Sequence, residues 1–526
     1  MRQLSMSDAM FVLMEQPRRN TAHIGMVYVF DPSTAEQPVT FDRLTELYHQ
    51  RIPLARAFRE RLVRVPMDLD YPYWINDEGF DLEFHLRQIA IPGPGTREQF
   101  FAVVDRVMSL PLDMARPLWE TYMIEGLDEV EGFPPGSFAL LTKMHHAAVD
   151  GISGMEMVTA LLEDAAAADA RMPKEDWQPE EAPDQRALLK KAIGAGISGP
   201  LKMTEALLRS MPAISENRKK LKSGEIVKPP KVKAPKTRFN GPVSPHKVLE
   251  GRSWPFAEVK RLKDAAPSGV TINDIVLTVC GGAMRRYLDA KDELPEQPMV
   301  VSVPISLRTE EEAGTGGNRL AMAFVNTHSD IADPLARLAA VSTTMGEIKD
   351  YNKAADAQSL AKTTEAMPGM LMGLAMRAMS ALPASDRAFM SNALVTNVPG
   401  PQQPLTLLGA RYVGGFGAGP STDGIGLINL VTSLSGVLSL GFSASREMMP
   451  DPRFYAQCIE DSFDELRAAI DGQAGPAAAP EPRSPPKPAP KASAPKTPPA
   501  KPSPAKRASP RKSPSPRKPA SARKPR

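Results

Sequence analysis

Lys143-Met144-His145-His146-Ala147-Ala148-Val149-Asp150-Gly151 is the stretch on which the reading of this chain turns. An apolar run of strand length, Phe138 to Met144, leads into it, and Ile152 to Glu163 follows with Met155, Val158, Leu161 and Leu162 at helical spacing. Strand, histidine pair, turn and helix in that order place two imidazoles at a strand end. Adjacent side chains in a strand point to opposite faces, so only one of the two can face a given cavity. The arrangement offers one histidine as a general base. Asp150 either caps the following helix or reaches a neighbouring cation that fixes the turn, and Gly151 permits a backbone conformation other residues resist. A packed pair and a metal site are the rival readings. Metal is disfavoured because adjacent side chains diverge and no third histidine or carboxylate stands at a ligand-like spacing.

The flanks repeat one mixture of patterns. Upstream, Ile24 to Phe30 reads as a strand and Phe41 to Ile52 as a helix. From about Ala166 to Lys236 the composition loosens: Pro173, Pro179 and Pro183 precede a helical stretch around Arg186 to Met211, and Lys228-Pro229-Pro230-Lys231-Val232-Lys233-Ala234-Pro235 follows. Such a segment reads as a linker. Beyond it, Asn273 to Leu288, Pro334 to Lys349 and Phe454 to Ile470 read as helices. Met299 to Ile305, Leu320 to Thr327, Ala393 to Val398, Ala410 to Phe416, Gly426 to Thr432 and Gly436 to Phe442 read as strands. Gly414-Gly415-Phe416-Gly417-Ala418-Gly419 has no helix after it, which makes it a strand-end loop rather than a phosphate turn. No Walker loop and no G-x-S-x-G elbow occurs. The expected organisation is an α/β block over 1–165, a partly helical Pro-rich linker over 166–236, a second α/β block over 237–472 and a tail over 473–526.

Charge sets the tail apart. The 526 residues hold 64 Lys+Arg and 61 Asp+Glu, but 473–526 carries 14 bases against the single acid Glu481, a net +13. The remainder has 50 bases and 60 acids, a net −10. The tail also holds 17 of the 53 prolines and no aromatic residue, so it cannot bury enough apolar surface to fold. Two cysteines, Cys280 and Cys458, exclude a disulfide framework and a Cys-rich zinc module and suit a reduced, intracellular setting. No leader pattern opens the sequence, and the longest apolar tract, Ile425 to Phe442, is broken by Asn429, Thr432, Ser433, Ser435 and Ser439, too often for a membrane span.

The histidine motif resembles the active-site signature of the CoA-dependent acyltransferase superfamily, and its surroundings narrow the likeness. Leu110-Pro111-Leu112-Asp113 with Arg116-Pro117-Leu118-Trp119-Glu120 resembles the Pro-Leu-Trp motif of bacterial wax ester synthase/acyl-CoA:diacylglycerol acyltransferases, as does Leu4-Ser5 with Asp8-Ala9-Met10-Phe11. Asn240-Gly241-Pro242 is similar to the start of that family's second domain, and Thr271-Ile272-Asn273-Asp274 to its Asn-Asp motif. Ser391-Asn392 with Thr396-Asn397-Val398-Pro399-Gly400-Pro401 is similar to its late motif. The likeness runs in order from about residue 4 to 471; the long linker and the basic tail depart from it.

The resemblance implies an α/β fold: two chloramphenicol-acetyltransferase-like domains around a central tunnel, with the disordered basic tail outside the pattern. It implies a transfer from acyl-CoA, a co-substrate with no bound cofactor and no metal, to diacylglycerol or a long-chain alcohol. His146 is then the general base, no acyl-enzyme forms, and His145, Asp150 and Gly151 support the loop. Asn273 is the candidate oxyanion donor, with helix capping as its alternative. Pro117, Leu118 and Trp119 are candidate substrate contacts, with plain packing as their alternative, and Ser391 and Asn392 are further candidate contacts. Two rivals stand beside this reading: a condensation-type enzyme with another acceptor, and a nucleic-acid-binding protein acting through its tail. The same tail charge would hold the protein to an anionic membrane or lipid-droplet surface, which suits a cytoplasmic enzyme peripheral to the inner face of the membrane or to lipid inclusions.

Overall fold

The computed structural model describes residues 1–15, 20–148, 161–162, 178–226, 232–306, 320–354, 368–381 and 389–473, all within one compact unit, Met1–Gly475. The strands are β1 (Arg2–Gln3), β2 (His23–Asp31), β3 (Glu60–Val63), β4 (Tyr73–Asn76), β5 (Leu86–Ala90), β6 (Trp119–Glu125), β7 (Phe138–His145), β8 (Lys247–Pro255), β9 (Val300–Ser306), β10 (Leu320–Asn326), β11 (Ala393–Pro399), β12 (Thr406–Leu407), β13 (Ala410–Ala418), β14 (Leu427–Leu434) and β15 (Val437–Ser445). The helices are α1 (Met6–Met14), α2 (Phe41–Arg51), α3 (Arg97–Ser109), α4 (Gln185–Ser223), α5 (Phe256–Ala265), α6 (Ile272–Asp289), α7 (Pro334–Ala354), α8 (Gly369–Ala381) and α9 (Pro452–Gln473). Every described segment read as strand or helix in the sequence is one, with ends moved by a few residues except in α4, which runs on from Met211 to Ser223. The helix expected over Ile152 to Glu163 lies almost wholly outside the described residues.

Two mixed six-stranded sheets carry the fold, ordered β12-β13-β2-β7-β6-β5 and β10-β9-β11-β14-β15-β8, with a small sheet β1-β4-β3 beside them. In the first sheet β7 lies between β2 and β6, antiparallel to both, and all eight of its residues are buried. A strand covered on both faces favours an apolar run over alternation, and Phe138 to Leu141 is one; Thr142 and the buried Lys143 interrupt it before Met144.

The boundary near residue 237 does not separate the sheets. β12 and β13 come from the second half of the sequence, yet they complete the first sheet, β13 pairing with β2 from Arg411↔Asp31 to Ala418↔Gly25. The Gly-rich run is therefore no strand-end loop: Gly414, Gly415 and Gly417 lie inside β13, where it crosses the second sheet. A Cβ on Gly441 would sit 2.9 Å from the Gly417 nitrogen and 3.0 Å from the Gly417 oxygen across the two sheets. The glycines are there because two backbones meet without side chains between them.

A second tie runs through α3 and β8. Arg97 Nε lies 2.7 Å from Glu250 Oε1, and Asp105 accepts the Leu249 N–H at 2.7 Å. Burial pushes the Asp105 carboxyl up to about 7, the Leu249 bond opposing. The stretch read as linker holds the 39-residue helix α4, longer than its sequence pattern showed, and it ends on Gly224 in the left-handed region.

Candidate active site

The site begins with backbone. At the end of β7 the His145 N–H donates to the Leu118 carbonyl and the His146 N–H to the Ala22 carbonyl, both at 2.9 Å, so the neighbouring chains hold the pair from either side. His146 to Ala148 then turn as a short 3-10 helix, whose Ala147 packs with Leu4, Ala9, Val12 and Leu118.

The two rings have different partners. His145 is fully buried, and its Nδ1 accepts the Ala147 N–H at 3.1 Å. In that tautomer the proton is on Nε2, which lies 3.3 Å from Glu15 Oε2 without the alignment of a hydrogen bond. His146 stacks on Phe11 of α1, ring centroids 3.8 Å apart and planes 13° from parallel. Its Nδ1 is buried and has no well-aligned hydrogen-bond partner among the described residues. Burial lowers its pKa to about 4; its approach to its own backbone opposes the shift and the His145 ring adds to it. The ring is neutral near pH 7, the state a proton acceptor needs.

α1 owes its place to a local device. Ser5 is its N-cap, accepting the Asp8 N–H at 3.1 Å and donating to Asp8 Oδ2 at 2.6 Å. Ser5 and Asp8 thus set the helix that carries Phe11 to His146 and ends next to Glu15.

Beneath the motif lies a buried basic layer. His23, paired with His145 across β2 and β7, donates from Nε2 to the Met108 carbonyl at 2.6 Å. Burial first, then Lys247 and Lys143, hold its pKa well below the imidazole range. The ammonium of Lys143 is tied to the Leu110 carbonyl at 2.8 Å and the Val107 carbonyl at 3.1 Å, with Glu120 at 3.4 Å. Lys247, at the start of β8, is 1 % exposed, and its Nζ has no hydrogen-bond partner among the described residues. Burial brings its pKa down to about 7, Lys143 adding to the shift and Glu15 opposing it.

The remaining candidates divide. Leu118 and Trp119 sit in core packing: Trp119 stacks between Tyr48 and His85 and donates to the Phe58 carbonyl at 2.9 Å. Pro117 lines a small polar recess of about 80 Å³ with Phe84, Arg87 and Arg116. Ser391 and Asn392 are fully buried. The Asn392 amide accepts from Val300 N–H at 2.9 Å and donates to the Pro235 carbonyl at 2.6 Å and Asn240 Oδ1 at 2.8 Å. With those bonds made it clamps the end of the linker to the second sheet instead of facing a substrate. Asn273 is not the cap of α6: Thr271 is, in a reciprocal pair with Asp274, and Asn273 lies half-buried in the first turn. Asp150 and Gly151 lie outside the described residues. Sequence reading missed Glu15 and Lys247 and gave no role to Phe11 or His23; only His23 carried a signal, as one of seven histidines. Among the described residues no cluster of His, Cys, Asp or Glu is placed to hold a metal.

A histidine pair at the end of a central strand of one of two mixed sheets, the second ring with a lowered pKa, is the arrangement expected of a histidine-motif acyltransferase. The sequence profile of the wax ester synthase/diacylglycerol acyltransferase catalytic domain matches residues 4–276, and that of the C-terminal domain of the same family matches residues 316–467. A putative diacylglycerol O-acyltransferase of Mycobacterium tuberculosis is 31% identical over 477 residues, 90% of this chain and 91% of its own. A second from that species is 32% identical over 480 residues, 89% of this chain and 100% of its own. Among solved structures, the wax ester synthase/diacylglycerol acyltransferase of Marinobacter aquaeolei VT8 superposes with a TM-score of 0.60 at 25% identity, covering 89% of this chain and 100% of its own. The first condensation domain of the CDA synthetase shares the fold at a TM-score of 0.54 and 17% identity, covering 91% of this chain and 97% of its own. The chain belongs to the wax ester synthase/diacylglycerol acyltransferase family.

Proposed function

We propose that the protein transfers a long-chain acyl group from acyl-CoA to the hydroxyl of diacylglycerol, and also to long-chain alcohols, with His146 as general base. The neutral, stacked imidazole at the end of β7 carries this reading. His146 takes the hydroxyl proton as the oxygen attacks the thioester carbonyl. The tetrahedral oxyanion collapses, the carbon–sulfur bond breaks, and the imidazolium returns the proton to the CoA thiolate. One proton moves out and back, so no acyl-enzyme is required. His145, its tautomer set by the Ala147 N–H, holds the loop; Asp150 and Gly151 complete it, and Asn273 is the candidate oxyanion donor. The substrates meet in a passage between the sheets. The basic tail, 473–526, tethers the enzyme to an anionic membrane or inclusion surface.

His146→Ala should leave secondary structure and unfolding temperature near wild type and abolish transfer from labelled acyl-CoA to dioleoylglycerol and hexadecanol, the products separated by thin-layer chromatography. A variant retaining a tenth of wild-type turnover would remove His146 from the role of base.

A further inference from the structure

α4 has two apolar faces, and among the described residues only one of them is covered. Leu188 and Ala192 pack with Val63, Val65, Tyr73 and Ile75. At about 100° per residue, Ile193, Leu201, Leu207, Leu208 and Met211 fall within an arc of about 120° on another side. They are exposed by 53, 75, 49, 64 and 54 % respectively. Apolar side chains scattered singly need no explanation, but a stripe of five along one helix marks an interaction surface.

The helix also carries charge of one sign. Its 39 residues include nine Lys or Arg and two Glu. Both acids are paired within the helix, Glu205 with Arg209 at 2.5 Å and Glu216 with Lys220 at 3.2 Å. An exposed apolar stripe on a helix with seven bases in excess complements an anionic lipid surface, where side chains enter the acyl boundary and ammonium groups meet phosphates.

α8 links this face to the site. Gly196 and Gly199 of α4 lie against Met370 and Pro368. One side of α8, through Met372 and Met376, packs with α1 residues Ala9 and Val12 and with Ala147 of the histidine turn. Another leaves Leu371 and Leu374 exposed by 41 and 56 %. A single helix thickness, about 10–12 Å, therefore separates the exposed apolar surface from the layer holding His146.

We propose that the outer faces of α4 and α8 form a docking platform for an anionic phospholipid membrane, seating the histidine turn next to the bilayer that supplies its lipid acceptor. The platform lies in the folded body and is distinct from the basic tail. It rests on the acceptor being a lipid, and its test reads binding apart from turnover.

Full-length protein would be floated with vesicles of phosphatidylcholine and phosphatidylglycerol, 7:3, and with phosphatidylcholine alone. The L201S/L208S/M211S variant should bind the mixed vesicles at least tenfold more weakly, with unchanged circular dichroism and unchanged turnover of detergent-dispersed acceptor. L374S should weaken binding in the same direction through a second helix. The wild type should prefer the mixed vesicles. Equal binding by wild type and triple variant would overturn the platform, and so would a wild-type dimer that the triple variant converts to monomer, since a second copy would then cover the stripe. Vesicle binding that depends on the stripe, with no transfer to any lipid acceptor, would instead overturn the enzymatic reading and leave the platform standing.

Discussion

At the scale of single residues, the question is what sets the proposed base apart from the other six imidazoles. Its neighbour in sequence does not do it, because the His145 ring turns away to accept the Ala147 N–H. Phe11 does, by covering one face of His146 and helping to keep it dry. A buried imidazole resists protonation, so its folded pKa falls from the ordinary 6.5 to about 4. Activity needs the neutral ring, and the acid limb of kcat/KM should therefore sit well below the usual imidazole range. Phe11→Ala opens that face to water, favours the charged form and raises the pKa. The limb should then move up by about one unit, so that the variant loses more activity at pH 5 than at pH 8. A pH–rate profile of both proteins checks it; a limb that does not move would show that other groups keep the ring dry. The stability link has the same direction. The folded pKa lies below the unfolded one, so the contribution of His146 is complete above about 6.5 and is lost as pH falls toward 4.

At the scale of elements, the fold depends on two sheets touching backbone to backbone at β13 and β15. The neighbours of Gly441 there are main-chain atoms of Gly417 at 2.9 and 3.0 Å, which cannot swing aside as a flexible side chain would. Gly441→Ala should cost about 2–3 kcal/mol, as overpacking of a rigid contact does. Gly346, inside α7, has open space around it and no left-handed backbone, so Gly346→Ala should raise stability by up to about 1 kcal/mol. Urea unfolding of the two variants should shift the midpoint in opposite directions, and a neutral Gly441→Ala would mean that the sheets can slide apart. This crossing also shows how far the sequence could be read. Ala410 to Phe416 was legible as a strand because its pattern is local, but nothing local says that it pairs with β2, almost 400 residues earlier. The histidine turn was legible for the same reason: strand, pair and turn are contiguous. Glu15, Phe11 and Lys247 join it only through the topology that brings α1 and β8 to the end of β7. Asn392 was legible as a motif, but its clamp was not, since the partners Pro235 and Asn240 lie over 150 residues away.

For the whole molecule, charge and apolar surface are divided between two places, which makes their contributions separable. The tail carries +13 and the rest of the chain −10, whereas the stripe on α4 acts through apolar contact as well as charge. Attraction between the tail and anionic headgroups decays over about 10 Å at 0.1 M salt and about 3 Å at 1 M. Apolar insertion does not weaken with salt in that way. Deleting 474–526 should therefore reduce binding to phosphatidylglycerol-containing vesicles several-fold at 20 mM NaCl. At 0.5 M the truncated and full-length proteins should converge on the same residual binding, the part that L201S/L208S/M211S removes. Turnover of detergent-dispersed acceptor should not change, because no residue assigned to the chemistry lies in the tail. Equal binding at low salt would end the tail's role as a tether. A difference that persists undiminished at 0.5 M would mean that the tail holds the surface by something other than its charge.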